Sequence, residues 1–298
     1  WFCGSITLYH EDSGEMFLDG RELDVHGAAI TPTTYGDKNK VLKVDDKWRR
    51  AVGHVGGVGD LQSRRFRMES DAKCIVVIEK EGAYTRLSED RIFDQLPCIL
   101  VTGKGTRANP AMVVSRSARC SSQHFVVLFS VFAGFPDVAT RQWVHHLRHL
   151  LDIPVVGLCD CNPYGVSVLS TYQYQHGVQV ERAKQQKDAR EALNGGVDQT
   201  ESTFQLQWIG LQPSQIESLD LPRSVFQELS TLDKKRLKSL LQEDHPFLRP
   251  CRGELLAMKR YKVELEALHW MGMTYMSRFV LSSLREVTKK HEESTSSS

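Results

Sequence analysis

The sequence predicts an α/β fold: a Rossmann-like parallel sheet flanked by helices, with a strand-rich lead-in before it and a helical extension after it. Three unbroken apolar runs carry this expectation: Cys74 to Ile78, Cys98 to Val101 and Val155 to Cys159. A strand with one wet face alternates apolar and polar residues, so runs without alternation belong to strands buried on both faces. The second observation is what stands at their ends: Glu79-Lys80-Glu81, Thr102-Gly103-Lys104-Gly105 and Asp160-Cys161-Asn162. Open α/β sheets keep their chemistry in the crevice at the carboxyl ends of the strands.

Composition bounds the rest. A chain of 298 residues, 41% of them hydrophobic, can bury a sizeable core in one or two domains. A formal net charge of +1 exerts no global pull on nucleic acid, so any DNA contact must come from local patches. The seven cysteines form no CxxC pair, and Cys74, Cys98 and Cys159 lie in the apolar runs. That is small-hydrophobe usage in a reduced, intracellular protein, and it argues against zinc. Neither a signal peptide nor a bilayer-spanning run is visible, so a soluble protein with no membrane partner is expected. The chain begins with Trp1 and not Met, which suggests a fragment.

Residues 1–70 read as the lead-in. Ile6 and Leu8 alternate with polar neighbours, and Asp19-Gly20 marks a turn. Arg64, Arg65 and Arg67 form a basic cluster, read either as a solvated surface run or as a phosphate contact. Residues 71–288 form the main domain. After Glu79, the spacing of Tyr84, Leu87 and Phe93 predicts a short helix or ordered loop. In the Gly103-Lys104-Gly105 loop, two glycines allow close backbone approach to a phosphate and Lys104 adds a compact positive charge.

Pro136 starts a helix with Trp143, Val144, Leu147 and Leu151 on one face. Arg141 falls near its start, and so near the strand ends, where it can hold a phosphate oxygen. His145, His146 and His149 are expected to face water. The third apolar run ends at Asp160. An acid in that crevice is costly unless a cation holds it, and Mg²⁺ is the usual occupant. A plain strand–turn–helix junction, with Asn162 as N-cap and Pro163 at N1, explains the same residues. Residues 176–203 are polar and read as an exposed connection. Helical spacing returns at Leu232 to Leu241, Glu254 to His269 and Thr274 to Val287, with methionines 258, 271, 273 and 276 as packing residues. Residues 289–298 are expected to be a disordered tail.

The segments I-E-K-E-G-A-Y-T-R-L-S-E-D-R, P-C-I-L-V-T-G-K-G, F-P-D-V-A-T-R and D-C-N-P-Y-G together resemble a Toprim domain. More narrowly, they resemble that of the A-type component of type IIB DNA topoisomerases (topoisomerase VI) and its eukaryotic relative that makes meiotic double-strand breaks. Trp208-Ile209-Gly210-Leu211 and Leu221-Pro222 fit the same family, and the resemblance covers most of residues 70–286.

It implies Mg²⁺ held by Glu79, Asp160 and Asn162, the last standing where archaeal-type members have a second Asp. It also implies double-stranded DNA as substrate, for which Lys104 and Arg141 are the expected contacts from their positions, a homodimer, partnership with an ATP-binding B-type subunit, and a nuclear, chromosomal location. Members break DNA by transesterification through a tyrosine on a winged-helix domain preceding the Toprim domain. No such tyrosine motif is visible here, where Tyr84 follows Glu79 and Tyr164 lies in the Asp160 loop, and that domain is expected upstream. Another Toprim enzyme, a primase or nuclease, and a non-catalytic DNA-binding protein are the competing classes.

Residues 106–134 depart from the family pattern. There Gly-Lys-Gly runs directly into the aromatic-Pro-Asp segment, which here waits until Phe135. The intervening stretch ends in F-V-V-L-F-S-V-F-A-G, whose codons suit a pyrimidine tract followed by AG. It reads either as a translated retained intron or as a genuine insert.

Overall fold

The computed structural model describes residues 1–10, 13–28, 66–103, 135–136, 138–173 and 204–296. Short strands come first: β1 (Phe2–Gly4), β2 (Thr7–His10), β3 (Met16–Asp19) and β4 (Phe66–Glu69). They are followed by β5 (Cys74–Ile78), α1 (Glu81–Glu89), α2 (Ile92–Gln95), β6 (Cys98–Thr102), α3 (Val138–Leu151), β7 (Val155–Leu158) and α4 (Pro163–Tyr172). The remainder comprises β8 (Leu206–Gly210), α5 (Pro213–Glu217), α6 (Thr231–Gln242), α7 (Arg252–Ala257) and α8 (Tyr275–Ser296). Short 3₁₀ turns lie at Arg223–Val225 and Leu265–Met271.

All three apolar runs are strands, and every residue of β5, β6 and β7 is buried. They form one sheet in the order β1-β6-β5-β7-β8. The pairs β5–β6, β5–β7 and β7–β8 are parallel, while β1 runs antiparallel to β6. The lead-in is thus not a separate layer. Its first strand closes the edge of the main sheet, and only β3-β2-β4 forms a second small sheet. An apolar edge strand left bare is a liability, and β1 (Phe2, Cys3) covers β6.

The order of the parallel strands contains a reversal. From β5 the chain steps outward to β6, then returns past β5 to β7 and on to β8. Right-handed crossovers in opposite directions put their helices on opposite faces and leave a crevice between β5 and β7. Packing agrees with this: α1 and α2 contact α8, whereas α3 packs against α4. Trp143, Val144 and Leu147 of α3 are fully buried, on the face the sequence predicts. Each such side chain contributes roughly 1.5–3 kcal/mol of transfer free energy.

Four expectations are corrected. His145 does not face water; it is buried, its Nε2 lies 3.0 Å from the Tyr172 carbonyl, and its ring meets Phe204 edge-on. Residues 254–269 are not one helix. α7 stops at Ala257, and the following backbone is extended because it pairs elsewhere: Lys262 with Gln227 and Val263 with Cys161. Met271 and Met273 are exposed, since the chain turns at Gly272 (φ 118°), while Met258 and Met276 are buried. The tail continues α8 as far as Ser296. Extending an existing helix needs no new nucleus, and i,i+4 pairs Glu286–Lys290 (2.6 Å) and Lys289–Glu293 (3.9 Å) support it.

The described cysteines (Cys3, Cys74, Cys98, Cys159, Cys161, Cys251) are free and buried. Among the described residues no helix is long and apolar enough to cross a membrane. Arg64, Arg65 and the segments 106–134 and 176–203 lie outside the described residues.

Candidate metal centre

Glu79 leaves the end of β5 and Asp160 leaves the end of β7, so both sit in the crevice at the strand reversal. The parallel ladder runs on past Ile78 and Leu158, with the Glu79 amide donating to the Leu158 carbonyl at 3.0 Å. The Asp160 amide then donates to Glu79 Oε2 at 3.3 Å. Asp160 is 6% exposed, and its Oδ1 accepts a 2.8 Å hydrogen bond from the Leu265 amide. Burial pushes the Glu79 carboxyl up to about 7, and the charge of Asp160 adds to the rise. Burial likewise raises Asp160 to about 6, against the Leu265 amide and Lys80, which lower it. For both carboxyls burial outweighs the partners they have, Lys80 and the backbone amides, so each holds its proton more tightly than in water.

Asn162 sits at the turn into α4. Its Oδ1 accepts a 2.7 Å hydrogen bond from the Gly165 amide, and Pro163 is at the first helical position. The helix start is pressed against the strand end, for a Cβ on Gly165 would lie 2.9 Å from the Asp160 carbonyl oxygen. The capping reading of Asn162 therefore describes its side chain. One lone pair of that amide oxygen is in use at the helix.

Two acids that sequence reasoning passed over complete the arrangement. The segment after Asp160 pairs with the chain around Val263: the Cys161 amide donates to the Val263 carbonyl at 2.8 Å, and the Val263 amide returns at 3.1 Å. Lys262, ion-paired to buried Asp233 at 2.9 Å, pins the same strand. Val263 and Leu265 are buried, while Glu264 just before the 3₁₀ turn is exposed and Glu266 within it is half-buried. Both reach Lys80, at 3.2 and 2.6 Å, and Lys80 lies 3.8 Å from Asp160 Oδ2. Both acids lie within a stretch whose apolar residues satisfy helical spacing, which hid them.

The side chains that could serve as donors are all oxygen: the carboxylates of Glu79 and Asp160, and the Asn162 amide oxygen that caps the next helix. That suits a hard cation, and Mg²⁺ commonly takes one or two carboxylates while keeping several waters. Among the described residues no group of three or more His, Cys, Asp or Glu forms a ready-made metal cage. The residues fit a largely hydrated Mg²⁺.

Of the two phosphate-binding candidates, Lys104 lies outside the described residues. Arg141 is on the first turn of α3, partly buried, one turn before His145. That helix begins at the end of β6, where a Cβ on Gly103 would stand 2.9 Å from the Cα of Pro136. Arg141 is thus at the same end of the sheet as Glu79 and Asp160. Tyr84 is fully buried on α1.

A family model describing the Toprim domain shared by the A-type component of topoisomerase 6 and by Spo11 matches residues 74–116 and 114–283. The chain belongs to this family. Its two matched stretches meet inside the segment 106–134. The Toprim chain is 27% identical over 278 residues to the A-type component of DNA topoisomerase 6 from Arabidopsis thaliana, covering 92% of this chain and 48% of that protein. It is 29% identical over 231 residues to meiotic recombination protein SPO11-2 of Oryza sativa subsp. indica (74% and 46%). To meiotic recombination protein SPO11 of Mus musculus it is 27% identical over 216 residues (71% and 43%). The chain spans less than half the length of these relatives.

Proposed function

We propose that this chain is the metal- and DNA-binding half of a nuclear DNA-cleaving transesterase that makes double-strand breaks to start meiotic recombination. The observation that carries the reading is the juxtaposition of Glu79 and Asp160 in the β5/β7 crevice of a Toprim sheet. Glu79 and Asp160 would hold Mg²⁺, with the free lone pair of Asn162 within the same loop. When bound, the metal neutralises charge that develops on the phosphate oxygens.

The chain's own residues do the rest. The Leu265 amide orients Asp160 through Oδ1, and the Asp160 amide orients Glu79, so neither carboxyl must be ordered at the moment of reaction. Arg141 and Lys104 position the DNA backbone through phosphate oxygens. The nucleophile is a tyrosine of a winged-helix domain outside this chain. Its oxygen forms an ester to phosphorus as one phosphodiester P–O bond breaks and a sugar hydroxyl leaves. In this reading the assembly is a homodimer on double-stranded DNA, served by an ATP-binding B-type subunit.

The test uses the full-length protein. Asp160→Ala should abolish Mg²⁺-dependent covalent attachment to DNA while the circular dichroism spectrum and melting profile stay those of a folded protein. Wild-type attachment in that variant would place the metal elsewhere and sink the reading.

A further inference from the structure

Lys80 is badly placed for the helix it precedes. It occupies the N-cap position of α1, where an acceptor side chain and negative charge are favoured, and its side chain makes no capping hydrogen bond. Its ammonium instead reaches across to acids more than 180 positions away, 2.6 Å from Glu266 Oε2 and 3.2 Å from Glu264 Oε2, and stands 3.8 Å from Asp160 Oδ2. The side chain is one-third exposed, so the head is partly screened but not free in water. The backbone just before Glu264 and Glu266 is anchored by the Cys161–Val263 pairing.

We propose that Lys80 is a built-in counter-ion: its ammonium neutralises Asp160 while the metal is absent, and Glu264 and Glu266 receive it when Mg²⁺ arrives. This rests on the reading that Glu79 and Asp160 hold the metal. A divalent cation beside Asp160 repels an ammonium at this range. Lys80 is already within hydrogen-bond distance of two other carboxylates, so it can leave Asp160 without becoming an unpaired charge. The resident cation thus sets metal affinity by competition. Lys80 is a positioning residue here, not a metal ligand.

The experiment measures Mn²⁺ and Mg²⁺ binding to this chain by isothermal titration calorimetry, with thermal unfolding in EDTA alongside. Lys80→Met should lower the melting temperature in EDTA at pH 7.5 and bind metal about tenfold more tightly or better. Glu264→Gln/Glu266→Gln should do the reverse, leaving Lys80 committed to Asp160 and weakening metal binding; this variant keeps the test open should Lys80→Met not fold. Unchanged or weaker affinity in Lys80→Met, or unchanged affinity in the double variant, overturns the counter-ion role. Asp160→Asn serves as the separate check: if it binds metal like the wild type, the metal reading itself fails, whatever Lys80 does.

Discussion

The backbone amide of Asp160 donates to Glu79 Oε2 across 3.3 Å, joining two residues 81 positions apart. The contact is possible because β5 and β7 are adjacent and parallel, with their ends in register from Ile78 and Leu158. A hydrogen bond to the charged form steadies Glu79, yet burial outweighs it and the carboxyl remains near 7. Asp160 likewise stays near 6, since burial outweighs its partners Lys80 and the Leu265 amide.

Asp160→Asn should stabilise the metal-free protein at pH 7.5 and remove its response to Mg²⁺. The amide oxygen of Asn still accepts from Leu265, while one buried charge and its repulsion of Glu79 disappear. Differential scanning fluorimetry with EDTA and with Mg²⁺ checks this. A fall in melting temperature in EDTA would mean that Lys80 and the Leu265 amide stabilise the Asp160 charge by more than its burial costs.

The pH dependence has a defined sign. Glu79 (about 7) and Asp160 (about 6) have folded-state values above their ordinary range near 4. The native state therefore binds more protons in this window. The stability from these groups is fully present below about pH 4 and is lost as pH rises through 6 and 7. His145 works oppositely, because burial lowers it to about 4, and its contribution is lost as pH falls from about 6.5 toward 4. Comparing wild type with Glu79→Gln/Asp160→Asn in EDTA cancels the histidine. The variant's advantage in urea midpoint should be largest at pH 8 and shrink toward pH 5. An advantage that does not vary with pH would exclude titration of this pair.

His145→Ala should cost about 2–4 kcal/mol in urea unfolding, from a cavity beside Phe204 and the loss of the bond to the Tyr172 carbonyl. An exposed histidine would cost under about 0.5 kcal/mol. That smaller result would return His145 to the surface.

Gly165→Ala should destabilise by about 1–3 kcal/mol and weaken metal binding together, because its Cβ would meet the Asp160 carbonyl oxygen at 2.9 Å and push the strand end aside. Urea unfolding and calorimetric metal titration read the two effects. Loss of stability with metal affinity intact would uncouple α4 from the site.

Deleting residues 106–134, so that Gly105 joins Phe135, should leave the fold and metal binding in place. The flanks are already together, since a Cβ on Gly103 would stand 2.9 Å from the Cα of Pro136. Closing a loop of any such length changes the entropy only slightly. Far-UV circular dichroism and the melting temperature of the shortened chain test it, and transcript sequencing across the junction tests the intron reading. A shortened chain that cannot fold would make the segment part of the core.

By itself the sequence determined the three buried strands and the residues at their ends. An unbroken run such as Val155 to Cys159 has one low-energy fate, burial on both faces, and the polar residue that ends it is thereby placed at the sheet's rim. Glu79 and Asp160 were legible for that reason, and Asn162 as a cap follows from its position before Pro163. Only the tertiary structure decided which strands are neighbours, and so that those two acids meet. It also decided that β1 closes an edge, that His145 turns inward and that β8 extends the sheet. Glu264 and Glu266 belong to the same class. The apolar spacing from Leu255 to Leu268 suits one continuous helix as well as the observed path, extended at Lys262 and Val263 and 3₁₀ from Leu265. The choice between them was made by backbone partners at Cys161 and Gln227, which no local window contains. Local patterning fixes what a segment buries, whereas long-range pairing fixes what it faces, and the charge around Lys80 is wholly of the second kind.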